Sequence, residues 1–170
     1  MNQLFTLRLD GHRYALRLQD VERVVRMVEI TALPEAPSAV LGLINVQGRV
    51  LSVIDLRGCF NLPPREVDPE DVLVIVHTAA GEVALAADGV EGVSEWPEQA
   101  TVFKEEILPA PQHLEGVVKL PNGLVLICDL DQIIAGRQTQ DSGAQPLPFA
   151  GKAREAGGAF PVRKGDDDAR

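Results

Sequence analysis

Apolar and polar residues alternate from the start of the chain. Phe5, Leu7 and Leu9 are separated by Thr6 and Arg8, and after Asp10-Gly11 the alternation resumes at Tyr14, Leu16 and Leu18. A period of two places the apolar side chains on one face of a strand, and Asp-Gly is turn chemistry, so a hairpin is expected here. From Gln19 the spacing changes. Val21, Val24 and Val25 fall at helical intervals, which predicts about one helical turn before MVEITAL returns to strand character. Pro34 and Pro37 interrupt the chain, and a short turn of helix is expected from Ser38. A strand around Leu43 to Val46, a turn at Gln47-Gly48 and a buried strand from Val50 to Ile54, ending at Asp55, complete about five strands.

The plan then repeats. YALRLQDVERVVRM (14–27) aligns with VALAADGVEGVSEW (83–96), and GLINVQGRVLSVIDL (42–56) with GVVKLPNGLVLICDL (116–130), each of the last two ending in Asp-Leu. A small β module that cannot bury its own face can bury it against a twin. Short strands with regularly spaced turns, and no helix long enough for a βαβ crossover, predict an all-β fold of two related five-stranded barrel lobes. Lobe one is expected over about 1–62, a proline-rich connector over 63–70, and lobe two over about 71–136. LDQIIAG reads as a closing helix capped by Asp129 and ended by Gly136. Residues 137–170 turn to Gly, Pro, Ser and scattered charge, the composition of a disordered or peripheral tail.

Charge sharpens this picture. The net charge is -9, which disfavours binding along phosphate backbones. Residues 1–62 balance to +1 (seven Lys/Arg, six Asp/Glu), 63–136 to -11 (three, fourteen) and 137–170 to +1 (six, five). A near-neutral lobe with arginines and a strongly acidic one favour heterologous lobe-to-lobe pairing with a similar protein. Neither a membrane span nor a secretory leader pattern is visible, so a cytoplasmic protein is expected.

Candidate chemistry is sparse. Cys59 and Cys128 have no CxxC spacing and no clustered histidines, so no metal or cofactor is expected. Cys128, inside LVLIC, reads as core, and Cys59 as core or rim. Asp55 and Asp129 occupy the same place in the two copies and raise the idea of a hydrolytic carboxylate dyad. The residues after them are Leu-Arg and Leu-Asp, where a catalytic loop would want small residues, and the competing reading is that each Asp caps the following turn. His12, His77 and His113 have no nucleophile beside them in sequence, and no phosphate-binding glycine motif occurs. Two β lobes with open edges suit binding instead, with the polar turn Asn45-Val46-Gln47-Gly48-Arg49 between apolar strands.

Four blocks in this order, FTLRLDGHRYALRLQDVERV, PSAVLGLINVQGRVLSVIDLR, LVIVHTAAGEVALAADGVEGV and ILPAPQHLEGVVKLPNGLVLICDLDQII, resemble the CheW family of chemotaxis coupling proteins. The resemblance covers about residues 3–136. It implies two five-stranded barrels on a common core and a noncatalytic adaptor. The implied partners are the regulatory domain of a CheA-type histidine kinase and the cytoplasmic tips of methyl-accepting receptors. Asn45, Gly48, Asp55 and Arg57 match the family pattern. Gln47 stands where the family commonly has Arg, and Arg23 where it has an acidic residue, so an implied ion pair loses its Coulombic attraction and altered partner geometry is expected. Arg23, Val24, Asn45, Gln47, Gly48, Arg49, Asp55 and Arg57 are therefore the candidate partner-binding residues. The alternative roles are a CheW-like scaffold of a non-chemotactic motility or localisation system and, more remotely, the Asp55/Asp129 hydrolase.

Overall fold

The computed structural model describes residues 2–36, 39–109, 112–121 and 123–140. β1 (Asn2–Leu9) and β2 (His12–Arg17) form the expected hairpin, with Leu9 opposite His12 across Asp10-Gly11. The helical turn expected at 21–25 is instead a strand, β3 (Val21–Arg26), after a 3₁₀ turn over Leu18–Asp20. Three valines at helical spacing are too short a run to nucleate a helix, and β-branched residues gain more from a ladder. Within MVEITAL, Met27 donates its amide to the Asp71 carbonyl at 3.2 Å and Thr31 bridges Leu43. The turn expected from Ser38 lies outside the described residues. β4 (Val40–Val46), β5 (Arg49–Asp55) and the short helix α1 (Leu56–Cys59) follow.

The second copy supplies β6 (Val72–Thr78), β7 (Gly81–Ala87), β8 (Gly89–Trp96), β9 (Thr101–Phe103), β10 (Leu114–Leu120), β11 (Gly123–Cys128) and α2 (Leu130–Gln140). Asp129 caps α2, its Oδ1 accepting from the Gln132 amide at 3.1 Å. Gly136 does not end the helix, which runs on to Gln140. Leu130, Ile133 and Ile134 are buried and anchor the helix, and an interior glycine costs only about 1 kcal/mol. Residues 137–140 therefore belong to α2, and the rest of the expected tail, 141–170, lies outside the described residues.

The sheets do not follow the halves of the chain. One has the order β8-β1-β2-β11-β10-β9, the other β3-β6-β7-β5-β4. With the copies aligned, β1 to β5 correspond to β6, β7, β8, β10 and β11, and both sheets share one plan. The first hairpin of each copy inserts between the third strand and the last two strands of the other. The two parallel pairings, β11 with β2 and β5 with β7, are the same junction seen twice. The expected boundary at the connector thus separates the copies in sequence but not the sheets. Bulges recur too, at Glu22 and Glu91 and before Gly42 and Gly116.

The ladders are open, yet each sheet curls. The chain after β3 crosses to the opposite edge, where Thr31 bridges Leu43 of β4, and the chain after β8 crosses to β9 on β10. Both crossings pass close to a glycine. A Cβ on Gly42 would drive into the Thr31 carbonyl, and one on Gly116 would lie 2.8 Å from the Val102 carbonyl oxygen. Leu73 and Ile75 of β6 point into the core of their own sheet, with Leu51 and Val53. Val74 and Val76 point the other way, into a central core shared with Phe5, Leu7, Tyr14 and Leu16 of the other sheet. Burial on both faces explains why β6 reads as an unbroken apolar run. Cys59 and Cys128 both lie buried in this central core.

Candidate functional site

The turn between β4 and β5 is built by its own residues. Gln47 and Gly48 have φ of 51° and 85°, which suits a two-residue hairpin loop, and Asn45 Oδ1 accepts from the Gly48 amide at 2.9 Å. Asn45 and Gly48 thus shape the turn, and Gln47 is displayed. Arg23 of β3 donates from Nη2 to Gln47 Oε1 at 3.0 Å. These residues belong to the opposite edges of their sheet, so the contact fastens the curl. The expected loss of an ion pair leaves a direct hydrogen bond in its place. Val24, beside Arg23, is 37 % exposed.

Arg49 faces inward along the same end. It holds Glu22 of β3 at 2.7 and 3.3 Å and also pairs with Glu82 of β7. The hydrogen bond from Arg49 holds the Glu22 carboxyl below its ordinary range. His77 lies 3.6 Å from each glutamate. The ligand atoms of Glu22, His77 and Glu82 come within 4.8 Å of one another, and Arg49 supplies the positive charge between the carboxylates.

Asp55 and Arg57 are engaged inside the molecule. Asp55 Oδ1 accepts from the Arg57 amide at 3.0 Å and caps α1. Arg57 is only 6 % exposed. Its Nη2 donates to both oxygens of Asp88 at 2.6 and 2.7 Å, and its Nη1 to the Pro63 carbonyl at 3.3 Å. Asp88 also accepts from the Asp10 amide at 2.8 Å and from Arg65 at 2.6 Å, and Arg65 reaches Asp71 at 2.8 Å. Burial pushes the Asp88 carboxyl up, but the Asp10 amide, Arg57 and Arg65 together hold it below its ordinary value. This network ties α1, the connector and the β1–β2 turn to the end of β7. Neither Arg65 nor Asp88 stood out in the sequence, because each finds its partners only through the fold.

Asp129 lines a different cleft, of about 440 Å³, with Arg17, Asp20, Glu115 and Asp131, whereas Asp55 lines a remnant of about 20 Å³ with Arg57, Arg65 and Asp88. The two aspartates cap separate helices in separate clefts, which is not the geometry of a shared-proton dyad. Burial, then Asp131, pushes the Asp20 carboxyl up, with Arg17 and His77 opposing. Burial, reinforced by Cys59 and Asp129, also pushes the Cys128 thiol up, as befits a core residue.

At equivalent places in the duplicated plan, the edge strands β3 and β8 differ in net charge: β3 carries Glu22, Arg23 and Arg26, β8 carries Glu91 and Glu95, and the matched pair Arg26 and Glu95 has opposite signs. Each also bears an exposed valine, Val24 and the 53 % exposed Val93. The model of the CheW-like domain matches residues 3–138. The chain belongs to the CheW-like family. It is 27% identical over 148 residues to the chemotaxis protein CheW of Bacillus subtilis, covering 82% of this chain and 91% of that protein. It is 22% identical to the probable chemotaxis protein CheW of Rhizobium etli (81% and 90% covered) and 28% identical to the protein FrzA of Myxococcus xanthus (69% and 74% covered). The crystal structure of the scaffolding protein TtCheW from Thermoanaerobacter tengcongensis superposes with a TM-score of 0.71 at 26% identity, over 78% of this chain and 92% of that one. Among the described residues, no helix is long and apolar enough to cross a membrane.

Proposed function

We propose that this CheW-like chain is a cytoplasmic, noncatalytic coupling adaptor of a chemotaxis system, binding the regulatory domain of a CheA-type histidine kinase and the cytoplasmic tip of a methyl-accepting receptor. The observation that carries this reading is the family match over residues 3–138, together with the likeness to a scaffolding protein of the same architecture. The complementary edges support lobe-to-lobe pairing with a related domain. A basic β3 edge with an exposed valine suits an acidic counterpart of the β8 kind, and the reverse holds for β8. Apolar contact at Val24 and Val93 would supply affinity, with charge setting register and association rate. Arg23, Val24, Gln47 and, at the turn, Asn45, Gly48 and Arg49 form the first-lobe surface. Asp55 and Arg57 support it from within.

Titration calorimetry of the purified chain with the CheA regulatory domain and with a receptor-tip fragment from the same cell tests the reading. Saturable binding to either, weakened by Val24→Glu, is the expected result; no association with either partner ends it. A second reading, a CheW-like scaffold of a non-chemotactic motility or localisation system, is compatible with the Arg23 and Gln47 departures and with the likeness to the protein FrzA of Myxococcus xanthus. Affinity purification from the native cell separates the two by the kinase recovered.

A further inference from the structure

The duplicated plan builds the same corner twice, with opposite charge. In the first corner His77 stands directly opposite Glu82 across β6 and β7, and the bulge residue Glu22 of β3 lies beside both. Arg49, at the start of β5, holds the two carboxylates. In the second corner Arg8 takes the place of His77 and Arg13 that of Glu82, directly opposite each other across β1 and β2. Glu91 is the matching bulge residue of β8. Gly123 takes the place of Arg49, since it stands opposite Leu120 as Arg49 stands opposite Val46.

Like charges directly opposite on antiparallel strands destabilise the pair. Little relieves them here. Arg13 Nη1 lies 3.9 Å from Glu91 Oε1, beyond hydrogen-bond length. Arg8 is exposed, and among the described residues its side chain has no ion-pair partner. Its guanidinium lies over Gly89 of β8, where a Cβ would run into Nη2. Asp88, whose amide donates to the Arg8 carbonyl at 2.9 Å, gives its carboxylate to Arg57 and Arg65 instead. Gly123 brings no side chain to the corner, and a Cβ there would meet nothing within 4 Å. Two guanidiniums against one carboxylate leave one positive charge over, in a place with room.

We propose that Arg8 and Arg13 form an oxyanion site, taking one carboxylate or phosphate group in the place that corresponds to the Arg49 guanidinium of the first corner. The cation that settles the first corner belongs to the chain; the anion that settles the second comes from another molecule. Arginine forks suit either oxyanion, because parallel N–H groups reach two oxygens at once. A single negative group balances the excess charge. The site goes beyond the coupling role and does not depend on it.

The test titrates the full chain at constant ionic strength, separately with acetate and with inorganic phosphate, and follows arginine Nε–H and backbone amide signals by NMR. Saturable shifts at Arg8, Arg13, Gly89 and Glu91 are expected with at least one of the two, and the arm that saturates at lower concentration tells a carboxylate site from a phosphate site. Arg8→Gln and Arg13→Gln should each weaken binding about tenfold, the worth of one charge-assisted hydrogen bond. Glu91→Gln removes the competing carboxylate and should tighten it. In chloride alone Arg8→Gln should melt no lower than the parent chain, since it relieves the like-charge pair. Shifts that spread equally over Arg17, Arg23 and Arg26, that do not saturate, or that persist in Arg8→Gln overturn the proposal. So does an Arg8→Gln chain that melts well below the parent.

Discussion

Arg57 and Arg23 looked alike as sequence, two arginines in a lobe with spare positive charge, but they hold different positions. Removing the Arg57 side chain takes both of its hydrogen bonds from Asp88 in a largely buried setting. Arg57→Ala should cost about 2–3 kcal/mol in urea unfolding, the range for a charge-assisted hydrogen bond lost from the interior. Arg23→Ala should stay within about 0.5 kcal/mol, as for most surface changes, while weakening kinase or receptor binding. Comparable stabilities for the two variants would contradict the buried network. Two carboxylates set opposite pH trends. Asp88 is held below its ordinary value, so its contribution is present above about pH 4, the unfolded carboxylate range, and is lost as pH falls through its folded value. Asp88→Asn should therefore be less stable at pH 7 and show a shallower acid limb. Asp20 is pushed up and opposes folding at neutral pH, with relief on protonation. Asp20→Asn should gain a little stability at pH 7, a gain that vanishes near pH 3; equal denaturation midpoints at both pH values would refute this.

At the scale of elements, the close backbone crossings at Gly42 and Gly116 are the test. The atom in the way is main chain in both cases, the Thr31 or the Val102 carbonyl, and cannot swing aside as a side-chain tip would. Gly42→Ala should destabilise by about 1–3 kcal/mol, the cost of overpacking, and Gly42 also has φ of 150°, which an alanine adopts under strain. Gly116→Ala should fall in the same range. Denaturant melts of the two variants check this, and a neutral Gly42→Ala would mean that the crossing at Thr31 is not held. The misread element, β3, belongs here too. Its valines fall at helical intervals, but over only six residues, and the choice was made by β6, which offers a ladder from Val21 to Arg26 with a bulge at Glu22.

For the whole molecule, the exchange of hairpins makes each half dependent on the other. Residues 1–62 contain β1 and β2 without the β8 and β11 that flank them, and β3 to β5 without the β6 and β7 that join them. Residues 1–62 and 71–136 made separately should each lack dispersed amide signals and near-ultraviolet ellipticity, and mixing them should restore both. A folded 1–62 on its own would show that the interleaving is dispensable. The same architecture explains why the charge difference counted along the sequence survives folding: the edge strands β3 and β8 lie in different sheets at equivalent sites and carry the two signs.

The sequence by itself determined the inventory: alternating apolar faces, Gly-rich turns, capping aspartates and two copies of one plan, all written in residues close together in the chain. Hydrogen-bond partners, turn conformation and helix caps at Asn45, Gly48, Asp55 and Asp129 are local, which is why they were legible. Tertiary structure alone decided which strand lies beside which, that Arg57 is buried on Asp88, and that the Asp55 and Asp129 carboxylates line separate clefts. Backbone ladders are nearly indifferent to side-chain identity, so pairing between distant strands is settled by how all the apolar faces are buried at once.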